Sequence, residues 1–201
     1  MEEQTMEVQT VEEQTTGCLV CGAPLEYLQS QIEMECTYCH KTFMSNARCV
    51  NGHFICDSCH EQMGLRVIED ICRHTDSKDP VAIMKKIILS PYIYMHGPEH
   101  HVLVGSALLA AYKNAGGELD LDAALEEMRN RGAQVPGGIC GLWGTCGAAV
   151  STGIFVSLIT GASPLSGKEW GLCNEMTSRS LGAIAKTGGP RCCKRDSYTA
   201  I

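Results

Sequence analysis

Four ligand pairs crowd the first third of the chain: Cys18-x-x-Cys21, Cys36-x-x-Cys39, Cys49-x-x-x-His53 and Cys56-x-x-Cys59. A Cys-x-x-Cys turn lets two thiolates meet one ion while backbone N–H groups point at the sulfurs, and two such turns complete a tetrahedral site. Eight ligands in four pairs therefore imply two ions, with zinc the metal expected; iron in a rubredoxin-like site would use the same donors. Two pairings fit. In a cross-braced scheme Cys18, Cys21, Cys49 and His53 hold one ion, and Cys36, Cys39, Cys56 and Cys59 the other. In a sequential scheme a zinc ribbon is followed by a second knuckle. The short stretch from Cys49 to Cys59 favours the cross-brace, an order that resembles RING and PHD fingers. Closed four-coordinate sites leave no position for substrate, so the module reads as a scaffold. So small a unit buries little apolar surface, and metal binding supplies its folding energy, about 10 kcal/mol or more per site. His40 and His60 each follow a ligand directly and read as surface residues.

Two further groups could do chemistry. In His96-Gly-Pro-Glu99-His100-His101, the side chains of His96, Glu99 and His100 could converge on a metal, or one histidine could act as a general base near neutral pH. The alternative is that they only cap and decorate a helix start. The second group is Cys140, Cys146, Cys173, Cys192 and Cys193, set in glycine-rich turns. Small neighbours would let a cluster or a substrate approach the thiolates, and Arg191 and Lys194 would lower the pKa of the terminal pair. An iron–sulfur cluster needs about four thiolates, which this count allows, as it allows a second metal. The bland reading makes Cys140, Cys146 and Cys173 small core hydrophobes. Cys72, on an apolar helical face, reads as core.

These residues need elements to hold them. Residues 1–16 carry five Glu and no Lys or Arg, and read as a disordered acidic tail. Residues 17–60 form the two-zinc module, and residues 61–201 a cysteine- and glycine-rich helical domain. Helical faces run from Glu61 to His74, from Asp79-Pro80 to Leu89, from Pro98 to Gly116, and from the Asp120 cap to Gly132. From 132 to 167 no residue is charged. Within the centre of this stretch, residues 139–161, five glycines, two cysteines and several hydroxyls argue for a buried central helix over a membrane span. Ser166-Gly-Lys-Glu169 matches a capping box and starts a last helix that stops before Gly188. Arg191–Arg195 reads as a basic turn. The fold expected is mainly α: a small zinc module followed by five to six helices, with little strand signal outside the module.

Composition excludes some functions. Removing the five tail glutamates from the net charge of −7 leaves −2 for the rest of the chain, with no basic stripe, so nucleic acid is not an expected partner. The start MEEQTMEVQT lacks the basic and apolar regions of a secretory signal, which points to the cytoplasm and to reduced thiols. Walker A, Rossmann and nucleophile-elbow sequences are absent.

The runs CTYCH, NGHFICDSCH, HGPEHH, GICGLWGTCGAA and GGPRCCKR resemble a cysteine-rich domain family of anaerobic prokaryotes, over residues 18–201. The resemblance implies a chain found alone or attached to methyltransferase or radical-SAM proteins, hence a protein partner of that kind. Cys140, Cys146-Gly147-Ala148 and Cys192/Cys193 also resemble redox proteins with a C-GCAxxG-C-C pattern, although Gly147 follows Cys146 where that pattern has Gly before Cys. What this implies is a redox role for Cys140, Cys146, Cys192 and Cys193. The function expected is thus a metal-binding protein whose C-terminal thiols serve redox, sulfur handling or cofactor maturation. The rival is a zinc-module adaptor without enzymatic activity.

Overall fold

The computed structural model describes residues 17–201; the acidic tail lies outside the described residues. Strands β1 (Leu25–Glu35) and β2 (Thr42–Cys49) pair antiparallel, with Leu25 opposite Cys49, Glu35 opposite Thr42 and an irregularity between Tyr27 and Ile32. Eight helices follow: α1 (Asp57–Arg73), α2 (Pro80–Ile88), α3 (His100–Asn114), α4 (Leu121–Gly132), α5 (Ile139–Leu142), α6 (Gly147–Thr160), α7 (Lys168–Thr187) and α8 (Cys193–Ala200). The mainly helical architecture with strands confined to the module agrees with the sequence pattern. The count exceeds five to six because α5 is a single turn and because the expected basic turn at the C-terminus is helix α8.

Local chemistry explains most boundaries. The Asp79 carboxylate accepts from the Val81 N–H, with Pro80 in the first turn, and Asp120 does the same for the Ala123 N–H. The capping box expected at Ser166 does not form. Its hydroxyl bonds the backbone and side chain of Ser163, at 3.0 and 3.1 Å, and α7 starts after Gly167 without a side-chain cap. A serine offered a local turn partner is unavailable to a helix end.

Two buried helices organise the core. On α3 the apolar residues run all round, and Leu103, Val104, Ala107, Leu109 and Ala110 are fully buried. α6 fills the uncharged stretch and packs against α3 on one side and α7 on the other. The α3–α6 crossing is close because Gly105 has no side chain. A Cβ there would stand 2.6 Å from Met128 Sδ and 2.8 Å from the Ser151 carbonyl, and the Gly105 N–H donates to Ser151 Oγ at 2.9 Å. Cys72 is fully buried in this core. Among the described residues no helix is long and apolar enough to cross a membrane.

Helix α1 ties the metal-ligand region to the core. Cys56 is its N-cap and Cys59 lies in its first turn, while Leu65, Ile68 and Cys72 are buried along its length. Gly105→Ala should lower stability by about 1–3 kcal/mol through overpacking against Ser151. Denaturant unfolding checks this; an unchanged midpoint would show that the crossing can relax.

Candidate functional site

The first ligand set gathers Cys18 and Cys21, ahead of β1, with Cys49 and His53. The second joins Cys36 and Cys39, in the hairpin connection, to Cys56 and Cys59 at the start of α1. Within each set all four ligand atoms lie within 4.8 Å of one another. Cys21 Sγ stands 3.5 Å from Cys49 Sγ, Cys39 Sγ 3.7 Å from Cys56 Sγ, and Cys18 Sγ 3.8 Å from His53 Nδ1. The edge of a tetrahedron of sulfurs around zinc is about 3.8 Å for bonds of about 2.3 Å. The grouping is the cross-braced one. Backbone N–H groups of Val20, Asn51 and Cys56 reach the sulfurs of Cys18, Cys49 and Cys36 at 3.3–3.4 Å. Contacts from the Ala23 N–H and the Asn51 side chain hold Cys21 down to about 6. Thiols so placed suit a metal cation, and all thirteen cysteines are free of disulfides.

A second site lies among the helices. The runs around His96, Cys140 and Cys192, far apart in sequence, meet at a cavity of about 380 Å³. The segment before α3 contributes His96, Gly97 and Pro98, and α3 itself His100 and His101. Gly137, Gly138, Ile139 and Cys140 form another wall, Cys146, Gly147 and Ala148 open α6, and Arg191, Cys193 and Asp196 come from α8 and its approach. Of the five C-terminal cysteines, Cys140, Cys146 and Cys193 therefore share the cavity. Cys192, the N-cap of α8, does not line it, and Cys173 lines a separate groove between α6 and α7. Adjacent residues at a helix start point in different directions, which separates Cys192 from Cys193.

Burial raises the pKa of both Cys146 and Cys193. The N–H groups of Ala148 and Ala149 act the opposite way on Cys146, as do the Gly97 backbone and Arg191 on Cys193. The expected lowering of the terminal pair by its basic neighbours is thus overridden at Cys193. Lys194 instead turns its ammonium to the Ile88 carbonyl at 3.2 Å.

The histidines divide by role. His100 is almost fully buried, with Nε2 2.9 Å from the Tyr94 carbonyl and Nδ1 2.9 Å from Ser197 Oγ. A carbonyl only accepts, so Nε2 carries a proton, while the Ser197 hydroxyl, which also donates to the Cys193 carbonyl at 2.8 Å, lies between that carbonyl and Nδ1. Both nitrogens are engaged, and burial pushes the pKa down to about 4. Glu99 is also buried, and its carboxyl lies against Gly97, outside the cavity lining. Its Oε1 has no hydrogen-bond partner, and burial raises its pKa. His60, expected at the surface, is buried and stacked on Tyr94 with ring centroids 3.5 Å apart.

The side chain that sequence reasoning missed is His101. Its Nδ1–H donates to the Val135 carbonyl at 3.0 Å, leaving the Nε2 lone pair without a hydrogen-bond partner among the described residues. Its Cδ2–Nε2 edge lies against Gly147, where any side chain would strike the ring. The available signal was register, since 101, 105 and 108 share one α3 face and Gly105 marks a close crossing.

The fold is thus a cross-braced metal-ligand module leading into a helical domain with a thiol- and histidine-lined cavity. The chain belongs to a family of unknown function, DUF5714, which matches residues 68–201. The match takes in every cavity residue, and the eight module ligands precede it. No curated protein and no solved structure matches the chain.

The His100 contacts generate a pH test. Its pKa falls from an ordinary 6.5 to about 4 in the fold, so the unfolded chain binds the proton more readily. The stabilisation is complete above about pH 6.5 and is lost as the pH falls towards 4, about 3 kcal/mol in all. The raised Glu99 carboxyl has the opposite slope, so the histidine contribution is read by difference. His100→Gln should show a shallower loss of stability between pH 6.5 and 4 than the parent chain; parallel curves would contradict this.

Proposed function

We propose that this is a metal-binding protein with two structural zinc ions, and that its cavity is a thiol site for redox or sulfur chemistry. The single observation that carries the reading is the convergence of Cys140, Cys146 and Cys193 on one cavity from three separate stretches of the chain. In the zinc sites Cys18, Cys21, Cys49 and His53, and Cys36, Cys39, Cys56 and Cys59, would hold the ions. Their donor set of seven thiolates and one imidazole suits zinc and fills its coordination. The metals supply folding energy to a hairpin that is largely exposed and has little apolar surface to bury.

In the cavity the protein's own groups prepare the chemistry. The helix α6 N-terminus points backbone N–H groups at Cys146, favouring its thiolate when solvent or substrate reaches it. His101 Nε2 is a neutral proton acceptor at the Gly147 wall. Arg191 offers a cation to an anionic reactant. An adaptor role has one observation in its favour: Leu142 and Trp143, 81% and 69% exposed, follow the Cys140 wall and would suit a protein partner. The two readings are compatible if a partner delivers to the cavity.

The test uses the zinc-replete, iron-free chain with an inorganic polysulfide under anaerobic conditions. A thiolate attacks a terminal sulfur of the polysulfide, a sulfur–sulfur bond breaks, and the shortened polysulfide leaves with the electron pair. Peptide mapping should find one added sulfur on Cys146 or Cys193, and the Cys146→Ala/Cys193→Ala variant should lose the label while keeping its zinc. Uniform labelling of exposed cysteines, or none in the cavity, would contradict the thiol-site reading.

A further inference from the structure

The cavity holds more than nucleophilic thiols require. A buried imidazole with its Nδ1 proton fixed on a backbone carbonyl is the arrangement that orients a histidine to ligate through Nε2. His101 has this arrangement, is 8% exposed, and has no partner for Nε2 among the described residues. Three thiols share the cavity with it. Three soft thiols and an imidazole around one space suit a metal-containing ligand.

The spacing of the donors selects the kind. In the module, ligand atoms stand within 4.8 Å of one another, as around a single ion. Among the described residues no three donors of the cavity approach that closely. A polynuclear centre spreads its ligands further apart, because each donor binds a different metal atom. Glycines at 137, 138 and 147 leave the walls without side chains, and about 380 Å³ is far more than one ion needs.

We propose that this cavity binds an iron–sulfur cluster, with Cys140, Cys146 and Cys193 as thiolate ligands and His101 Nε2 as the fourth donor. The proposal rests on the reading of the cavity as a thiol site and names its occupant. A cluster carrying three thiolates and a neutral imidazole is net anionic, and the surroundings match that charge. The N-termini of α6 and α8 face it with positive dipole ends, Arg191 lines the same wall, and N–H groups of Ala148 and Ala149 reach towards Cys146. Asp196 acts in the opposite sense, raising the Cys146 pKa, and its carboxylate is paired with Arg195 at 2.9 Å. Binding releases the three thiol protons.

The test loads the full zinc-replete chain anaerobically with equal ferric and ferrous iron and matching sulfide, followed by desalting. The proposal predicts iron and acid-labile sulfide retained in equal amounts, with visible charge-transfer absorption. Cys146→Ser and Cys193→Ser should each lose most of both, at least roughly tenfold in retained iron, with zinc content and helical circular dichroism unchanged. His101→Cys should keep the cluster at a lower reduction potential, because a thiolate replaces the imidazole. Iron retained without sulfide, or zinc filling the cavity instead, would overturn the cluster in favour of a single ion. No retained iron together with polysulfide labelling of Cys146 or Cys193 would overturn the cluster and leave the thiol-site reading standing. Failure of both would remove both.

Discussion

The arrangement turns on one buried ring. His100 joins three parts of the chain: the segment before α3, through the Tyr94 carbonyl; α3 itself; and α8, through Ser197. Each contact satisfies a polar atom that would otherwise cost about 1–3 kcal/mol when buried. Because neither nitrogen is spare, the ring fixes position and leaves chemistry to its neighbour. His101, one residue on, points a different way and meets the cavity. The end of α8 is held again by Ser180, which bonds the Ala200 carbonyl at 2.7 Å and Thr152 of α6 at 3.0 Å. The cavity walls are thus cross-linked by buried hydrogen bonds, and the thiols inherit their rigidity.

The cysteine module bears on the same region by a different route. Cys56 and Cys59 anchor the start of α1, and His60, one residue further, stacks on Tyr94. Tyr94 is also the residue whose carbonyl receives His100. One aromatic contact and one hydrogen bond thus lie between the second ligand set and His100 at the cavity. Burial lowers the pKa of His60, so the neutral ring is the form that packs there.

Much of this was legible from residue types. Paired cysteines with fixed short spacing specify their own turn geometry, so the eight residues that gather into two sets could be read directly, and the short Cys49–Cys59 stretch favoured the grouping observed. Aspartates at 79 and 120 announced α2 and α4 because an N-cap is a local interaction. What stayed hidden depended on distant partners. Ser166 looked like a cap until Ser163 claimed its hydroxyl. His100 and His101 are equivalent as letters, and only Tyr94, Ser197 and Val135 tell the clamp from the free acceptor. Cys192 and Cys193 likewise look like a pair, yet one caps α8 and the other lines the cavity. Helix α8 was missed because its buried face is mostly polar, built from Asp196, Ser197 and Ala200.

The central claim is a division of labour, with module thiols closed around metal and cavity thiols open to chemistry. Residue-resolved alkylation rates on the zinc-replete, iron-free chain test it most directly. The account predicts that Cys140, Cys146 and Cys193 are modified before any chelator is added, while Cys18, Cys21, Cys36, Cys39, Cys49, Cys56 and Cys59 react only after a chelator strips the zinc. Module cysteines reacting as fast as the cavity set before chelation would contradict it.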